Sequence, residues 1–413
     1  MRQYIKYMIT LAALLTVSMG AWAGDITLKQ NVANAKVKIG ESTLTASSPV
    51  TGQSNNVTLT IMPDNDTNAS EPTADGYFLS NATVAARVYT TGTAQARHRA
   101  PGNTQTLLYS SLEVTKTANG TYTFTMPESG NVQLEITATA SVVALTGVAN
   151  AVYSASPITP GVTIEGNAAT ATTDYTIAYN HSVDGADAHT NAGTVTTTLT
   201  GVGAYWGEVK KTFEIKRATI TVVELAEQNF VYNSSEHTPQ IQKVTTANGL
   251  EINSNFDSYF NTSGDVSQTE ANTYDNENSR YNTYTLTVAA KEGTNYTGSV
   301  DVGWSIVSAN ISIATRFKVV IGDVTYDGEN KYSTGYTGSA LEPSVVIYDT
   351  KNTETTEDDE QLTKDTQYSL NYSSNTNYGT ATVTLTALGN NYAGVRTETF
   401  TITKKEVTVS VTT

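Results

Sequence analysis

The chain has 413 residues, with 24 Lys and Arg against 39 Asp and Glu, a formal charge of −15, and no cysteine. The missing cysteine excludes disulfides, a lipid-bearing cysteine, thiolate metal sites and cysteine catalysis, and the acid excess excludes a broad basic surface for nucleic acid or anionic lipid. Tyrosine supplies 24 aromatic residues against 8 Phe and 3 Trp, Thr and Val recur throughout, and helix signals are nearly absent after the first 23 residues, so an all-β chain of about two to four domains is expected.

Residues 1–23 read as an export signal. Arg2 and Lys6 give a positive start, Ile9 to Val17 an apolar run, and Ala21-Trp22-Ala23 a small-x-small cleavage site. The run is shorter than the roughly 20 apolar residues that span a bilayer, and no later stretch is apolar enough, so no direct membrane span is expected. The mature chain then starts at Gly24 and is secreted, to a bacterial cell surface or the extracellular medium.

An N-terminal all-β domain is expected over residues 24–141. Val57 to Met62 and Ala82 to Tyr89 alternate as strands, and Tyr122-Thr123-Phe124-Thr125-Met126-Pro127 leads into an alternating strand from Val132 to Thr139. Asp64-Asn65-Asp66-Thr67-Asn68 begins like a calcium loop, but Ala69 stands where the sharp-turn glycine belongs, which favours an exposed acidic loop. Arg97-His98-Arg99 is the one basic cluster, in a loop beside Pro101-Gly102.

Three further beads follow, over residues 142–217, 218–308 and 309–403. Gly379 to Ile402 is a strand, a Gly/Asn turn and a second strand: Ala381, Val383 and Leu385 alternate with Thr382, Thr384 and Thr386, and Phe400 and Ile402 face opposite to Thr399 and Thr401. The same pattern runs from Gly193 to Ile215 and from Tyr284 to Ile306, and the turn tyrosines Tyr205, Tyr296 and Tyr392 are 91 and 96 residues apart, one small domain per repeat. Trp304 takes the slot of Phe213 and Phe400 and is expected in a core. In the third stretch, 253–281 reads as a polar insertion. The acidic run Glu354 to Glu360 reads as a solubilising hairpin tip.

Bead two carries both candidate sites. His181, Asp184, Asp187 and His189 lie close together in one loop and offer nitrogen and oxygen ligands of the kind that hold zinc; a solvated hairpin loop of Asp, Gly and Asn explains the same residues without metal. Tyr205 and Trp206 form an aromatic turn tip able to stack on a sugar or anchor a protein; the plainer reading packs Trp206 over its own bead or against bead three. No G-x-S-x-G elbow, phosphate loop or H-E-x-x-H motif is present, so no catalytic residue and no cofactor is assigned.

Two family resemblances follow from these motifs. Tyr336-Thr337-Gly338 with Pro343, the stretch Asp365 to Tyr372, and Gly389 to Gly394 with Phe400-Thr401-Ile402 resemble tandem bacterial surface-protein Ig-like repeats of the MBG type. Asp75-Gly76-Tyr77, with Gly120 to Pro127 and a closing strand, resembles internalin-type B repeats, although their usual Gly-Trp is absent. The resemblance implies one β-sandwich per bead, with a β-grasp also open to the first domain, and adhesive or spacer roles with no catalytic residues. Short joints such as Ile215-Lys216-Arg217-Ala218, without Gly/Ser padding, point to an elongated rod.

Residues 404–413 read as the first strand of a further repeat, Val407 to Val411, or as an orphan strand for a neighbouring subunit. The function expected is a non-catalytic adhesin stalk or adhesive module, with a host or microbial surface glycan or protein as partner. The alternatives are an accessory array of a larger surface glycan-degrading enzyme and a fimbrial-type subunit assembling by strand exchange.

Overall fold

Alternating side chains make strands almost everywhere that the pattern occurs, in a computed structural model that describes residues 24–53, 55–65, 76–89, 110–128, 130–326 and 329–409. The export signal, Arg97-His98-Arg99 and residues 66–68 of the calcium-like loop lie outside the described residues. The chain divides into two units, Met1–Arg217 and Ala218–Thr413. Both are built of β-sheets, and the one α-helix among the described residues is the four-residue Phe256–Tyr259.

The first unit opens with two facing sheets. Ser42–Leu44, Ala35–Ile39, Asn56–Pro63, Thr121–Thr125 and Thr115–Ala118 form one; Val50–Gln53, Gly24–Leu28, Asn131–Thr146 and Gly76–Tyr89 build the other. Alternation puts Val57, Leu59 and Ile61 from one sheet against Ile26, Val132, Leu134 and Ile136 from the other in a single core. Two facing sheets that close on one core make this domain a sandwich.

The strands Gly76–Tyr89 and Asn131–Thr146 are far longer than the usual five or six residues, and both run on into the next bead. They pair antiparallel from Asn131↔Tyr89 to Val143↔Gly76. Residues 141 and 142, expected as a domain boundary, therefore sit inside one unbroken strand. Phe78 and Leu79 show how this works: neighbours on a strand point to opposite faces, so Leu79 enters the first core while Phe78 joins Val143, Tyr175, Leu199 and Val209 in the second. The register shifts between Thr137 and Thr139, where Asn81 takes φ 51°. A bulge at that point re-aims the strand between the two cores.

The second unit contains the same sandwich twice. In bead three, Glu251–Ile252, Ile241–Thr246, Ala218–Leu225 and Tyr296–Thr297 face Asn229–Val231, Ser299–Val307, Tyr284–Ala290 and Phe260–Gly264. In bead four, Val324–Tyr326, Phe317–Ile321, Val345–Asp349 and Glu360–Gln361 face Ser333–Gly335, Val395–Thr403, Gly379–Ala387 and Tyr368–Ser373. Ala381, Val383, Leu385 and Phe400 are fully buried, as is Trp304, so the expected alternation holds. The parallel pairs Ala218↔Tyr296 and Ala309↔Tyr392 show that each turn tyrosine ties down the first strand of its own bead.

Two expectations change. The stretch 253–281 is only partly an insertion: Phe260–Gly264 pairs with Tyr284–Ala290 just as Tyr368–Ser373 pairs with Gly379–Ala387. Its polar residues hid an edge strand that buries little but Phe260, and the true addition is the small hairpin of Tyr274–Asp275 with Arg280–Tyr281. Lys404–Val409 forms no strand, and Val407 and Val409 stand exposed.

Candidate functional site

The aromatic turn of bead two faces inward. The Trp206 backbone exchanges both its hydrogen bonds with Leu79, at 3.0 Å each, and its indole N–H donates to the Ile61 carbonyl at 3.0 Å. The ring packs against the N-terminal core, so its neighbour is the preceding domain. Gly120 makes room for it: a Cβ there would lie 2.4 Å from the indole nitrogen, and the residue sits at φ +70°. Tyr205 packs beside Phe78, with ring centroids 6.2 Å apart. The indole donor and one face of each ring are thus engaged inside the first unit.

Asn65 reinforces the same seam. This residue of the calcium-like loop is buried, donates from Nδ2 to the carbonyls of Tyr77 (2.8 Å) and Glu208 (2.7 Å), and accepts the Tyr77 N–H at 2.8 Å. Its neighbour Asp64 pairs with Lys36 at 2.6 Å. The sequence read this stretch as loop chemistry, whereas Asn65 satisfies three backbone groups that burial would otherwise leave unpaired.

The histidine loop does not gather its four residues. Among the described residues, no three His, Cys, Asp or Glu side chains converge on a metal-sized site. His181 is buried, and its Nδ1 accepts the N–H groups of Val183 (3.3 Å) and Asp184 (3.1 Å). Its Nε2 faces Gly193. Asp184 comes within 3.1 Å of the same Nδ1 but also accepts from Asn191. His189 turns the other way and stacks on Tyr179, centroids 3.9 Å apart and planes at 16°. Asp187 contributes its backbone, donating N–H to the Tyr179 carbonyl and accepting from His189 Nδ1 in one tautomer.

A seam that sequence reasoning missed lies between beads three and four. Arg316 and Asp349 are both buried and meet in a two-pronged ion pair at 2.7 Å, and the same guanidinium donates to the Tyr232 carbonyl of bead three. Tyr232 packs edge-on against Tyr392, centroids 5.4 Å apart. Ser234 donates to Glu360, the Ala271 N–H to the Asn391 side chain at 2.9 Å, and Asn391 Nδ2 to Glu270. Burial raises the Tyr392 phenol far above its ordinary range, with the Glu360 and Asp349 carboxylates adding to it. The Asn-Asn-Tyr turn that sequence marks as a hairpin is also the surface on which the preceding bead rests. A second buried pair, Arg396 with Glu398 at 2.6 Å, caps the Phe317 carbonyl within bead four.

Each bead of the second unit carries an open groove. One of about 500 Å³ is lined by Pro239, Phe256, Val266 and Leu286, and one of about 440 Å³ by Pro343, Leu362, Tyr368, Leu370 and Tyr372. The Tyr372 hydroxyl donates to the Pro343 carbonyl at 2.6 Å, and burial pushes its pKa up to about 12.

No protein-family model matches this chain. No curated protein matches it either. Among solved structures, the extracellular domain of protocadherin γB4 aligns over 93% of this chain and 67% of that chain, at 8% identity and a TM-score of 0.18. A superposition at that level bears on neither fold nor function, so the chain stands as a tandem β-sandwich protein on its own strands and cores.

Proposed function

We propose that this is a non-catalytic, secreted surface array, an adhesin stalk or adhesive module that projects from a bacterial cell and contacts a surface glycan or protein. The observation that carries this reading is the way successive domains are joined. In the first unit two strands run through two cores, and in the second a buried ion pair holds one bead's turn against the next. Packed seams suit a protein that must hold a position away from its anchor, because they suppress the interdomain motion that is the default for small polar interfaces. The export-like residues 1–23 and the resemblance to surface repeats support the location.

The test is protease treatment of intact source cells, followed by detection with an antibody to bead four. The reading expects loss of the signal while a cytoplasmic marker survives; survival of both would end it. A glycan and extracellular-matrix array probed with residues 24–413 then separates an adhesive module, which gives specific hits, from a bare stalk.

A further inference from the structure

After its edge strand Phe260–Gly264, bead three makes a detour over residues 265–283 before Tyr284–Ala290, where bead four goes from Tyr368–Ser373 to Gly379–Ala387 through 374–378 alone. The detour is anchored within its own bead. The Asp265 carbonyl accepts the Trp304 indole N–H at 2.9 Å, and Gln268 and His237 exchange backbone bonds at 2.8 and 3.0 Å. Asn272 pairs with the last strand of the bead: it donates its N–H to the Ile306 carbonyl at 2.8 Å, and its side-chain oxygen accepts the Ile306 N–H at 2.7 Å. Ala271 and Asn272 are buried there, although the segment is polar in sequence.

The detour reaches the turn of bead four. The Asn391 side-chain amide lies between two of its groups: the Ala271 N–H donates to the amide oxygen at 2.9 Å, and the amide nitrogen donates to Glu270 Oε2. Farther along, the hairpin of Tyr274–Asp275 with Arg280–Tyr281 sets the Tyr281 hydroxyl to accept the Ser308 N–H at 3.3 Å, and the Ser308 hydroxyl donates to the Asn390 carbonyl at 2.5 Å. Both asparagines of the Asn390-Asn391-Tyr392 turn are thus held, one directly and one through Ser308.

We propose that residues 265–283 form a clasp that reads the Asn391 amide, and so selects the kind of domain that can follow bead three: a sandwich whose turn presents an asparagine immediately before its tyrosine. The selection comes from the two groups that flank the amide. A primary amide carries an acceptor on one side and donors on the other, which matches a backbone N–H and a carboxylate. An aspartate in its place sets a second negative charge against Glu270. An alanine leaves the Ala271 N–H without an acceptor inside a buried seam, where an unpaired donor is costly. With the turn tyrosines aligned, beads three and four carry Asn295 and Asn391 at this place, and bead two carries Ala204. The clasp therefore accepts the turn of bead four and rejects that of bead two. This inference rests on the packed seam between beads three and four, and not on adhesion.

The test is hydrogen exchange on residues 24–413, read at the Ala271 amide, with the Val288 and Val383 amides in the two bead interiors as folding controls. Asn391→Asp keeps an acceptor for Ala271 and changes the charge that faces Glu270. Exchange at Ala271 should rise by about tenfold, within the coupling range of residues in direct contact, while the controls hold. Asn391→Ala, which installs the residue of bead two, should raise it as well. The deciding variant is Glu270→Gln on the Asn391→Asp background. There the glutamine amide donates to the aspartate, the pair is complementary again in the opposite sense, and Ala271 should return to within about threefold of the parent chain. Recovery is measured against the single variant, so it decides the matter even where Asn391→Asp loosens a whole bead. Unchanged exchange at Ala271 in Asn391→Asp, or no recovery in the double variant, would overturn the proposal, because the amide would then be covered by the seam without being read. Either failure leaves the surface-array reading standing, since exposure on intact cells is measured separately.

Discussion

The two units solve one problem in different ways. In the first, the N-terminal sandwich and bead two share backbone: Gly76–Tyr89 and Asn131–Thr146 pass from one core to the other, and a bulge at Asn81 adjusts their aim. In the second, beads three and four have separate sheets, and side chains around Arg316, Asp349, Tyr232 and Tyr392 close the gap. A shared strand fixes its seam through ladder hydrogen bonds, which tolerate almost any side chain. A side-chain seam depends on a few particular residues, and single substitutions should damage it selectively.

The sharpest way to break that contrast is Arg316→Ala. It leaves Asp349 buried without its partner, an arrangement that costs about 3–5 kcal/mol, and calorimetry of the full chain should show a clear loss. Replacing Arg316 and Asp349 together by Met and Leu should recover most of it, because the desolvation penalty goes with the charges. In the first unit, Ser141→Pro removes a ladder donor from the shared strand opposite Phe78 and should cost about 3 kcal/mol, with hydrogen exchange rising in both cores at once. Trp206→Ala should cost less, about 2 kcal/mol, because the ring is only partly buried and the strands remain; the Ile61 carbonyl loses its donor. Loss of stability without loss of any array ligand would mark Trp206 as a seam residue.

The smallest effect is in alkali. Phenols raised by burial stay protonated in the fold after the unfolded chain has begun to ionise, so the unfolded state binds fewer protons and stability falls as pH climbs past the ordinary tyrosine range. For Tyr372 this contribution is complete below about pH 10 and is lost by about 12. Alkaline titration of Tyr372→Phe, followed by circular dichroism, should show a shallower loss between those limits than the parent chain.

Strand content, the buried faces of Gly379–Ala387 and the core place of Trp304 were legible because they follow from period two, which is local. The repeat was legible from the turn tyrosines for the same reason. The seams were not. Trp206 finds Ile61 across 145 positions and Asn391 finds Glu270 across 121, and no local pattern announces such pairings. A usable clue lay in Asn131–Thr146, where 16 residues run on without a Gly, Pro or Asp, nearly three times the usual strand length of about five or six. The histidine loop misled because Asp and His near one another in sequence satisfy a composition rule for metals. In the fold, His181 turns inward to cap loop N–H groups, while His189 turns out onto Tyr179.

The central claim is that seams, not linkers, join the domains within each unit, and native-state hydrogen exchange on the full chain tests it directly. The Leu79 and Trp206 amides in the first unit and the Ala271 amide in the second all donate across a seam. The account predicts protection at these three within about tenfold of that at Val195 and Val383 in the bead interiors. Exchange at the rate of the exposed loop around Thr355 to Asp358 would contradict it, and the domains would then be tethered and not packed.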